Sequence, residues 1–276
     1  MAFSSPVLTL ERQAGVATLW LDRPEARNAM GPEFWSDLPR AMAHLGEDDD
    51  VRAVVLAGRG PHFSVGLDLK AMGGTLAAGQ DAQGSSGVSR RAAFLHDVQR
   101  LQGSITAVAD CPKPVVAAVH GACLGAGMDL ISACDVRLAS TDAFFSIRET
   151  KIAIVADVGT LQRLPRIIGA GHVAELAYTG KDIGAARARD IGLVNDVLAD
   201  QEAVVTAALA MAGEIAANSP LAVQGTKAVL RAGAGRSVEE GLEYVALWNA
   251  AFLHSDDLHE ALAAFVEKRP PSFRGR

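Results

Sequence analysis

The sequence predicts an α/β core followed by a helical C-terminal region. The apolar runs at 53–56 and 115–119 have the length and composition of strands buried on both faces. Each is followed by a glycine-bearing turn, at 63–66 and 124–127. Beyond about residue 158 the pattern is mostly helical. We therefore expect a core over residues 1–200 and a helical region over residues 201–276, without internal repeats.

The first 60 residues predict the order strand, strand, helix, strand. Apolar segments at 7–10 and 16–21 flank a Gly15 turn, which is typical of a hairpin. Pro32 then opens a helix whose apolar residues recur at near-helical intervals up to Leu45. An acidic run at 47–50 predicts a solvated turn before the strand at 53–56.

The middle of the chain predicts a second set of alternating elements. Residues 73–89 are rich in Gly, Ser, Gln and Ala, which is typical of a mobile surface loop. A helix should follow and end before Pro112, since proline restricts the residue that precedes it. After the strand at 115–119 we expect a short helix at 128–134 and strands at 136–138 and 144–147. A helix at 158–168 and C-terminal helices at 200–217, 220–232, 237–253 and 256–268 complete the prediction.

Bulk properties exclude several classes of function. With 276 residues and 49% hydrophobic content, the chain can bury a sizeable core. A net charge of -6 argues against nucleic acid or anionic membrane as a partner, because both require a basic surface. No apolar run approaches the roughly 20 residues of a membrane span, and no secretory, transit or peroxisomal signal is evident, so we expect a cytoplasmic protein.

The sequence predicts neither a metal site nor a separate cofactor. The three cysteines, at 111, 123 and 134, form no metal-ligand pattern and are expected to be reduced and buried. The motifs GxSxG, HExxH, GxGxxG and the P-loop are all missing from the sequence.

Three acidic residues are the strongest candidates for chemistry. Asp129, Glu149 and Asp157 stand among apolar or small residues, downstream of the two glycine turns. If the turns present backbone N–H groups to one point, the chain holds an oxyanion hole beside proton-transfer groups. Carboxyl groups in apolar surroundings have raised pKa values, which suits proton transfer near neutral pH.

Each of these features has a simpler structural interpretation. The turns could serve only to pack a strand against a helix. Glu149 could be a surface partner of Arg148 or Lys151, and Asp157 could cap the helix at 158–168. Residue types alone leave both interpretations open.

Several motifs together resemble those of the crotonase (enoyl-CoA hydratase/isomerase) superfamily. The signature-like segments are VAAVHG at 116–121, GAG at 125–127 and SACD at 132–135. The segment FSVGLDL at 63–69 resembles a second oxyanion loop of that superfamily, and DRP at 22–24 with RNA at 27–29 resembles its early CoA-binding loop. The likeness covers nearly the whole chain.

This resemblance implies a spiral of ββα units with a helical C-terminal trimerisation region, assembled as a homotrimer or homohexamer. It implies an acyl-CoA thioester as substrate, with coenzyme A as part of that substrate. The backbone N–H groups of Val65 and Ala126 would form the oxyanion hole. The residues expected to bind the substrate or its CoA are Arg27, Ser64, Gly66, Leu67, Asp68 and Gly125.

The trio of acids and the segment ADVGTLQRLP at 156–165 resemble the dienoyl-CoA isomerases of the superfamily. In that case Glu149 would take a proton from C2 of a 3,5-dienoyl-CoA and Asp157 would deliver one to C6. Asp129 would lie between them and tune the charge. Since C2 and C6 are four bonds apart, two carboxyl groups on different walls suit this reaction better than one.

Two other functions stay open at this point. Hydratases of the superfamily carry Glu at the positions of Asp129 and Glu149 and hold a water between them. The shorter Asp129 weakens an enoyl-CoA hydratase assignment without excluding it. A non-catalytic acyl-CoA-binding protein is the other alternative, although the three acids argue against it.

Overall fold

The structure, a computed structural model, describes residues 3–73 and 87–276. Most of the loop expected at 73–89 therefore lies outside the described residues. Its last positions, from Gly87 onward, belong to a helix.

Nine strands form two sheets within the described residues. Their bounds are β1 Leu8–Gln13, β2 Val16–Leu21, β3 Ala53–Gly58, β4 Val115–Val119, β5 Ala122–Leu124, β6 Val136–Ser140, β7 Phe144–Ser146, β8 Ile183–Gly184 and β9 Asp196–Leu198. The larger sheet has the order β1-β2-β3-β4-β6-β9, and the smaller one β5-β7-β8. Only β1 runs antiparallel in the larger sheet, as the hairpin predicted around Gly15 requires.

Helices cover both faces of the larger sheet. Their bounds are α1 Pro32–Glu47, α2 Gly87–Asp110, α3 Ala126–Ser132, α4 Thr160–Arg163, α5 Ala170–Thr179, α6 Ala185–Asp190, α7 Gln201–Ala217, α8 Pro220–Gly233, α9 Val238–Phe252 and α10 Asp256–Glu267. Short 3₁₀ turns occupy Pro24–Ala26, Glu149–Ile152 and Leu164–Arg166. The mixed α/β architecture with C-terminal helices confirms the predicted fold class.

Small residues bring α7 close to one face of the sheet. Val204, Ala208, Ala212 and Ala216 are buried there against the strands. The opposite face carries a larger core that α1 helps to close. Since α7 starts at residue 201, the predicted second region begins with a helix that packs on the sheet. The division at residue 200 itself stays a prediction.

The smaller sheet brings two distant segments of the chain together. β5 pairs in parallel with β7, with Leu124 opposite Ser146. Both strands end at this point, so the residues that follow them, from Gly125 and from Ile147, leave the sheet side by side. This junction places the second glycine turn next to the segment that carries Glu149.

The region after residue 158 is less helical than predicted. The helix expected at 158–168 consists of the single turn α4 and a 3₁₀ turn, because Pro165 has no N–H to continue an α-helical ladder. The strands β8 and β9 were not predicted, since two or three residues give no readable alternation.

The C-terminal helices differ in how they are held. A buried ion pair fixes α8: Lys227 Nζ donates to Asp135 Oδ2 at 2.6 Å and to the Lys113 carbonyl at 2.9 Å. By contrast, α9 has no buried residue. No described helix alone is long and apolar enough to cross a bilayer, although α7 and α8 together meet that test while bent by 109° at their junction.

Candidate active site

The two glycine turns lie side by side. Ser64 N–H donates to the Ala122 carbonyl at 2.9 Å, and Leu124 N–H donates to the Ser64 carbonyl at 3.1 Å. Gly66 has a φ of +87°, and a Cβ there would lie 2.6 Å from the Leu124 carbonyl oxygen and 3.2 Å from Ala126 N. Only glycine permits this close contact, so the two turns meet at one place.

The second turn ends in a free backbone donor. Gly125 has a φ of +52° and leads directly into α3, whose first residue is Ala126. The first N–H groups of a helix have no intrahelical acceptor. The Ala126 N–H also makes no hydrogen bond elsewhere in the described part of the chain. Helix geometry alone therefore supplies this donor.

At the first turn, the N–H group expected to serve the oxyanion hole already has an acceptor. The Val65 N–H donates to the carbonyl of Arg27, at 3.2 Å. This distance is at the long end of the usual range for N–H to O hydrogen bonds. Another oxygen at the turn can therefore share or replace the Arg27 carbonyl.

Glu149 lies against the second turn. Gly125 N–H donates to the Ser146 carbonyl at 2.9 Å, and a Cβ on Gly125 would lie 3.4 Å from Glu149 Oε1. The other carboxyl oxygen of Glu149, Oε2, is buried and has no hydrogen-bond partner among the described residues. Burial, followed by the negative charges of Asp129 and Asp157, raises the pKa of Glu149 to about 7.

The simpler interpretation of Glu149 is wrong. Arg148 pairs with Asp182 at 2.6 Å instead, and the side chain of Lys151 packs beside Gly180. No ion pair with either residue neutralises Glu149. Its carboxyl group is thus available to a ligand.

Asp129 is deeply buried in the first turn of α3. The residue is 1% exposed, and Oδ1 accepts a hydrogen bond from Thr160 N at 2.6 Å. Oδ2 has no partner among the described residues. Burial raises the pKa of Asp129 to about 6, although contacts with Thr160 and the charge of Arg163 oppose the shift. Asp129 therefore anchors the start of α4 and keeps one oxygen free.

Asp157 lies at the edge of this group. It does not cap the following helix, because the cap of α4 is Gly159, without a side-chain bond. Partial burial raises the pKa of Asp157, and its charge raises the pKa of Asp129 and Glu149. The three acids are thus within electrostatic reach of one another.

The surroundings of Asp157 differ from the sequence expectation. The residue as a whole is exposed, although nearby protein atoms still desolvate its carboxyl group enough to raise its pKa. Val155, two residues before it, is 72% exposed. Apolar neighbours in sequence therefore do not enclose the carboxyl group of Asp157. Gln102 Nε2 in α2 donates to the Asp157 main-chain carbonyl at 2.7 Å and fixes the backbone there.

Some of the other predicted binding residues already make contacts within the protein, and others do not. Arg27 is exposed and forms no ion pair with any described residue. Leu67 is bridged to Met30. The Asp68 carboxylate accepts from the N–H groups of Ala71 and Lys70 and from Arg23, and these bonds lower its pKa. Asp68 is therefore committed to holding the loop.

Within the described residues, the three acids lie apart from any metal-binding cluster and from a large cavity beside the C-terminal helices. No cluster of His, Cys, Asp or Glu suited to a metal occurs in residues 3–73 and 87–276. A cavity of about 1340 Å³ lies between the core and α8–α10, and none of the three acids lines it. The two turns and the orphaned carboxylate oxygens form the candidate site.

Sequence reasoning missed several residues that hold the site. Thr160 binds Asp129 through its backbone, and Gln102 binds a main-chain carbonyl, so side-chain type gave no signal for either contact. Asn28 also supports the first turn. Its left-handed φ of 54° is a conformation that asparagine tolerates better than most residues.

Several known proteins are similar to this chain over most of its length. The sequence profile of the family described as enoyl-CoA hydratase/isomerase matches residues 11–276. The peroxisomal Delta(3,5)-Delta(2,4)-dienoyl-CoA isomerase of Arabidopsis thaliana is 43% identical over 270 residues, covering 97% of this chain and 95% of that protein. The mitochondrial enzyme of the same name from Mus musculus is 43% identical over 261 residues, covering 93% of this chain and 78% of that protein.

Solved structures agree on the fold. The enoyl-CoA hydratase of Bacillus anthracis superposes with a TM-score of 0.87 at 31% identity, covering 98% of this chain and 100% of that one. An enoyl-CoA hydratase from Polaromonas sp. JS666 gives a TM-score of 0.84 at 30% identity, covering 96% and 99%. The predicted spiral ββα fold is thereby confirmed.

The same relatives correct one expectation. The curated relatives named as dienoyl-CoA isomerases are peroxisomal or mitochondrial proteins. The cytoplasmic location expected from the sequence is therefore wrong. The lack of a readable signal at the termini was a poor basis for it.

Proposed function

The chain belongs to the enoyl-CoA hydratase/isomerase family, and from this premise we propose that it is an enzyme that converts 3,5-dienoyl-CoA to 2,4-dienoyl-CoA in fatty acid β-oxidation. Relatives with that activity in their names are 42–43% identical across most of the chain. The reaction moves one proton from C2 to C6 of the substrate.

One observation carries the proposal: the carboxyl groups of Asp129 and Glu149 lie at a pair of abutting turns, and the charge of Asp157 reaches both of them. Asp129 and Glu149 each direct a buried oxygen without a described partner into the site. Buried polar atoms without partners are rare and call for a ligand, a water or a proton. Raised pKa values allow these groups to exchange protons near neutral pH.

The turns supply the electrostatic part of the mechanism. The thioester oxygen would accept hydrogen bonds from the N–H groups of Ala126 and Val65, replacing the Arg27 carbonyl at Val65. Negative charge grows on this oxygen as the dienolate forms, so the donors bind the transition state more tightly than the substrate. Ala126 in place of glycine does not weaken a backbone donor.

The acids supply the proton transfers. Ionised Glu149 takes a proton from C2, and the electron pair spreads over the thioester and the conjugated double bonds. Protonated Asp157 gives its proton to C6, which completes the 2,4-diene. Glu149 is then protonated and Asp157 ionised, and proton exchange with solvent restores the starting state. Asp129 contributes negative charge beside Glu149 and keeps its pKa raised.

The CoA portion would bind along the first turn. The exposed Arg27 guanidinium is a candidate for a phosphate of CoA, because arginine pairs well with phosphate. Ser64, Gly66, Leu67 and Gly125 would contact the pantetheine end and the thioester through their backbone. Asp68 would act indirectly, by holding the loop through Arg23.

We also propose that the active protein is a homotrimer or homohexamer assembled through its C-terminal helices. α9 has no buried residue, and α9 and α10 expose several large apolar side chains. These are Val238, Leu242, Leu247, Leu262, Phe265 and Val266. Exposed apolar patches of this kind mark protein interfaces. Light scattering should give a mass three or six times that of one chain.

Hydration of a 2-trans-enoyl-CoA is the second candidate. It is favoured by the orphaned oxygens of Asp129 and Glu149, which could hold a water between them. The shorter reach of Asp129 and the names of the relatives favour isomerisation.

Ultraviolet absorbance decides between these reactions. We expect the purified protein to raise the absorbance of a 3,5-dienoyl-CoA, because the product is conjugated with the thioester. Hydration of a 2-enoyl-CoA would instead lower absorbance. Hydration without isomerisation would refute the proposed reaction, and binding without either change would refute catalysis.

A further inference from the structure

Asn28 is a buried residue beside the first turn that forms several hydrogen bonds. It is 4% exposed, and both Arg27 and Asn28 have a left-handed φ of 54°. Two consecutive non-glycine residues in this region are unusual and need support from their surroundings. Asparagine is one of the residue types that tolerates it best.

The Asn28 side chain uses its full donor capacity. Its Nδ2 donates to the Arg59 carbonyl at 2.9 Å and to the His62 carbonyl at 2.8 Å. Its Oδ1 accepts from Arg23 N at 2.9 Å. One amide group thus ties together the loop at 23–28 and the segment that leads into the first turn.

The Asn28 backbone reaches the turn itself. Its carbonyl accepts a hydrogen bond from Ser64 Oγ at 2.8 Å, and Ser64 Oγ accepts one from Gly66 N at 3.1 Å. Val65 lies between these two residues. The donor at Val65 is therefore held from both sides by bonds that lead back to Asn28.

We propose that Asn28 is a positioning residue that aims the Val65 N–H at the thioester oxygen. This inference rests on the proposed function for its substrate class, an unsaturated acyl-CoA. Asn28 touches no reacting atom. It acts through the His62 carbonyl and the Ser64 hydroxyl, whereas the Ala126 donor needs no such support.

Asn28→Gly tests this role, because glycine adopts the left-handed backbone readily and the substitution removes only the side chain. We expect kcat to fall on the order of tenfold to a hundredfold, less than for removing an oxyanion donor outright. KM should stay within about twofold, because the donor acts mainly in the transition state.

A spectroscopic measurement reads the same geometry without turnover. Polarisation of the carbonyl by the two donors should shift the absorbance of a bound 2,4-dienoyl-CoA to longer wavelength. This red shift should shrink in Asn28→Gly and in Ser64→Ala. Ser64→Ala removes the hydrogen bond from the Ser64 hydroxyl to the Asn28 carbonyl. It tests the positioning of Val65 if Asn28→Gly fails to fold.

Ser104→Ala is the matched control. Like Ser64, Ser104 is fully buried and donates to a main-chain carbonyl, that of Trp35 at 2.6 Å, but it lies outside the turns. It should lose a comparable amount of thermal stability while keeping kcat and the red shift.

The outcomes separate this inference from the proposed function. If the wild type shows the red shift but does not isomerise, the reaction assignment fails while the shift in Asn28→Gly still tests the positioning role. Wild-type kcat and red shift in folded Asn28→Gly and Ser64→Ala would overturn the role of Asn28. So would a red shift that the Ser104→Ala control loses equally.

Discussion

The two turns of the site obtain their backbone donors in different ways. At the second turn, Ala126 is the first residue of a helix, and helix geometry leaves its N–H free. At the first turn, Val65 lies in a loop, and its N–H already donates to Arg27. One donor is therefore intrinsic to the fold, and the other depends on the loop at 23–28.

The acids, unlike the donors, are not shared between the two turns. Asp129 belongs to the helix that follows the second turn, and Glu149 contacts Gly125 of the same turn. The first turn carries no catalytic acid. This difference implies that changes near the second turn affect proton transfer, whereas changes near the first turn affect only carbonyl polarisation.

The largest effects should come from Glu149 and Asp157, the two acids proposed to transfer protons. Glu149→Gln and Asp157→Asn should each lower isomerisation about a thousandfold, within the usual range for loss of an acid or base. Both variants should bind acyl-CoA nearly as well as the wild type, because the substituted groups have the same volume.

Deuterium exchange at C2 separates the two acids. In D₂O, Asp157→Asn should still exchange the C2 proton of a 3,5-dienoyl-CoA, because Glu149 and both donors are intact. Glu149→Gln should not exchange it. Mass spectrometry of the recovered thioester gives the result. Full isomerase activity in Asp157→Asn would remove this residue from the mechanism.

Loss of the contact between the two turns should have the next largest effect on kcat. Gly66→Ala would place a Cβ 2.6 Å from the Leu124 carbonyl oxygen and strain a φ of +87°. The turns must then separate, and we expect kcat to fall about a hundredfold, as for loss of one oxyanion donor. Gly171→Ala is the matched control, since its Cβ would meet no atom within 4 Å. Equal kcat in both variants would contradict the shared site.

The sequence was a good guide where function depends on residue type and order. The motifs singled out Gly66, Gly125, Asp129 and Glu149, and the structure brings these four residues together at the two turns. The sequence could not predict hydrogen bonds made by the backbone. The Val65 N–H donates to a main-chain carbonyl, and a main-chain N–H donates to Asp129. The exposure of Asp157 was misjudged because neighbours in sequence need not be neighbours in space.

The pH dependence tests the coupling of acids at the second turn. Glu149 acts as a base only when ionised, so kcat/KM should rise as pH increases through about 7. Because the charge of Asp129 raises the pKa of Glu149, Asp129→Asn should move the rising limb to lower pH and lower kcat only several-fold.

Asp182→Asn is the control for this shift. Asp182 pairs with Arg148, next to Glu149 in sequence, but its charge does not contribute to the raised pKa of Glu149. Its pH profile should match that of the wild type. An unshifted rising limb in Asp129→Asn would show that the two acids titrate independently.

The smallest effect should come from Ala126→Gly, although this residue is proposed to supply one of the two donors. The substitution removes a methyl group but keeps the N–H at the first position of α3, where no intrahelical acceptor exists. We expect kcat within about threefold of the wild type and a loss of stability of about 1 kcal/mol, from glycine in the helix. Thermal melting and steady-state kinetics on the same preparation measure both. A tenfold fall in kcat with unchanged melting would mean that the Ala126 side chain positions the substrate, and that helix geometry alone does not account for the second donor.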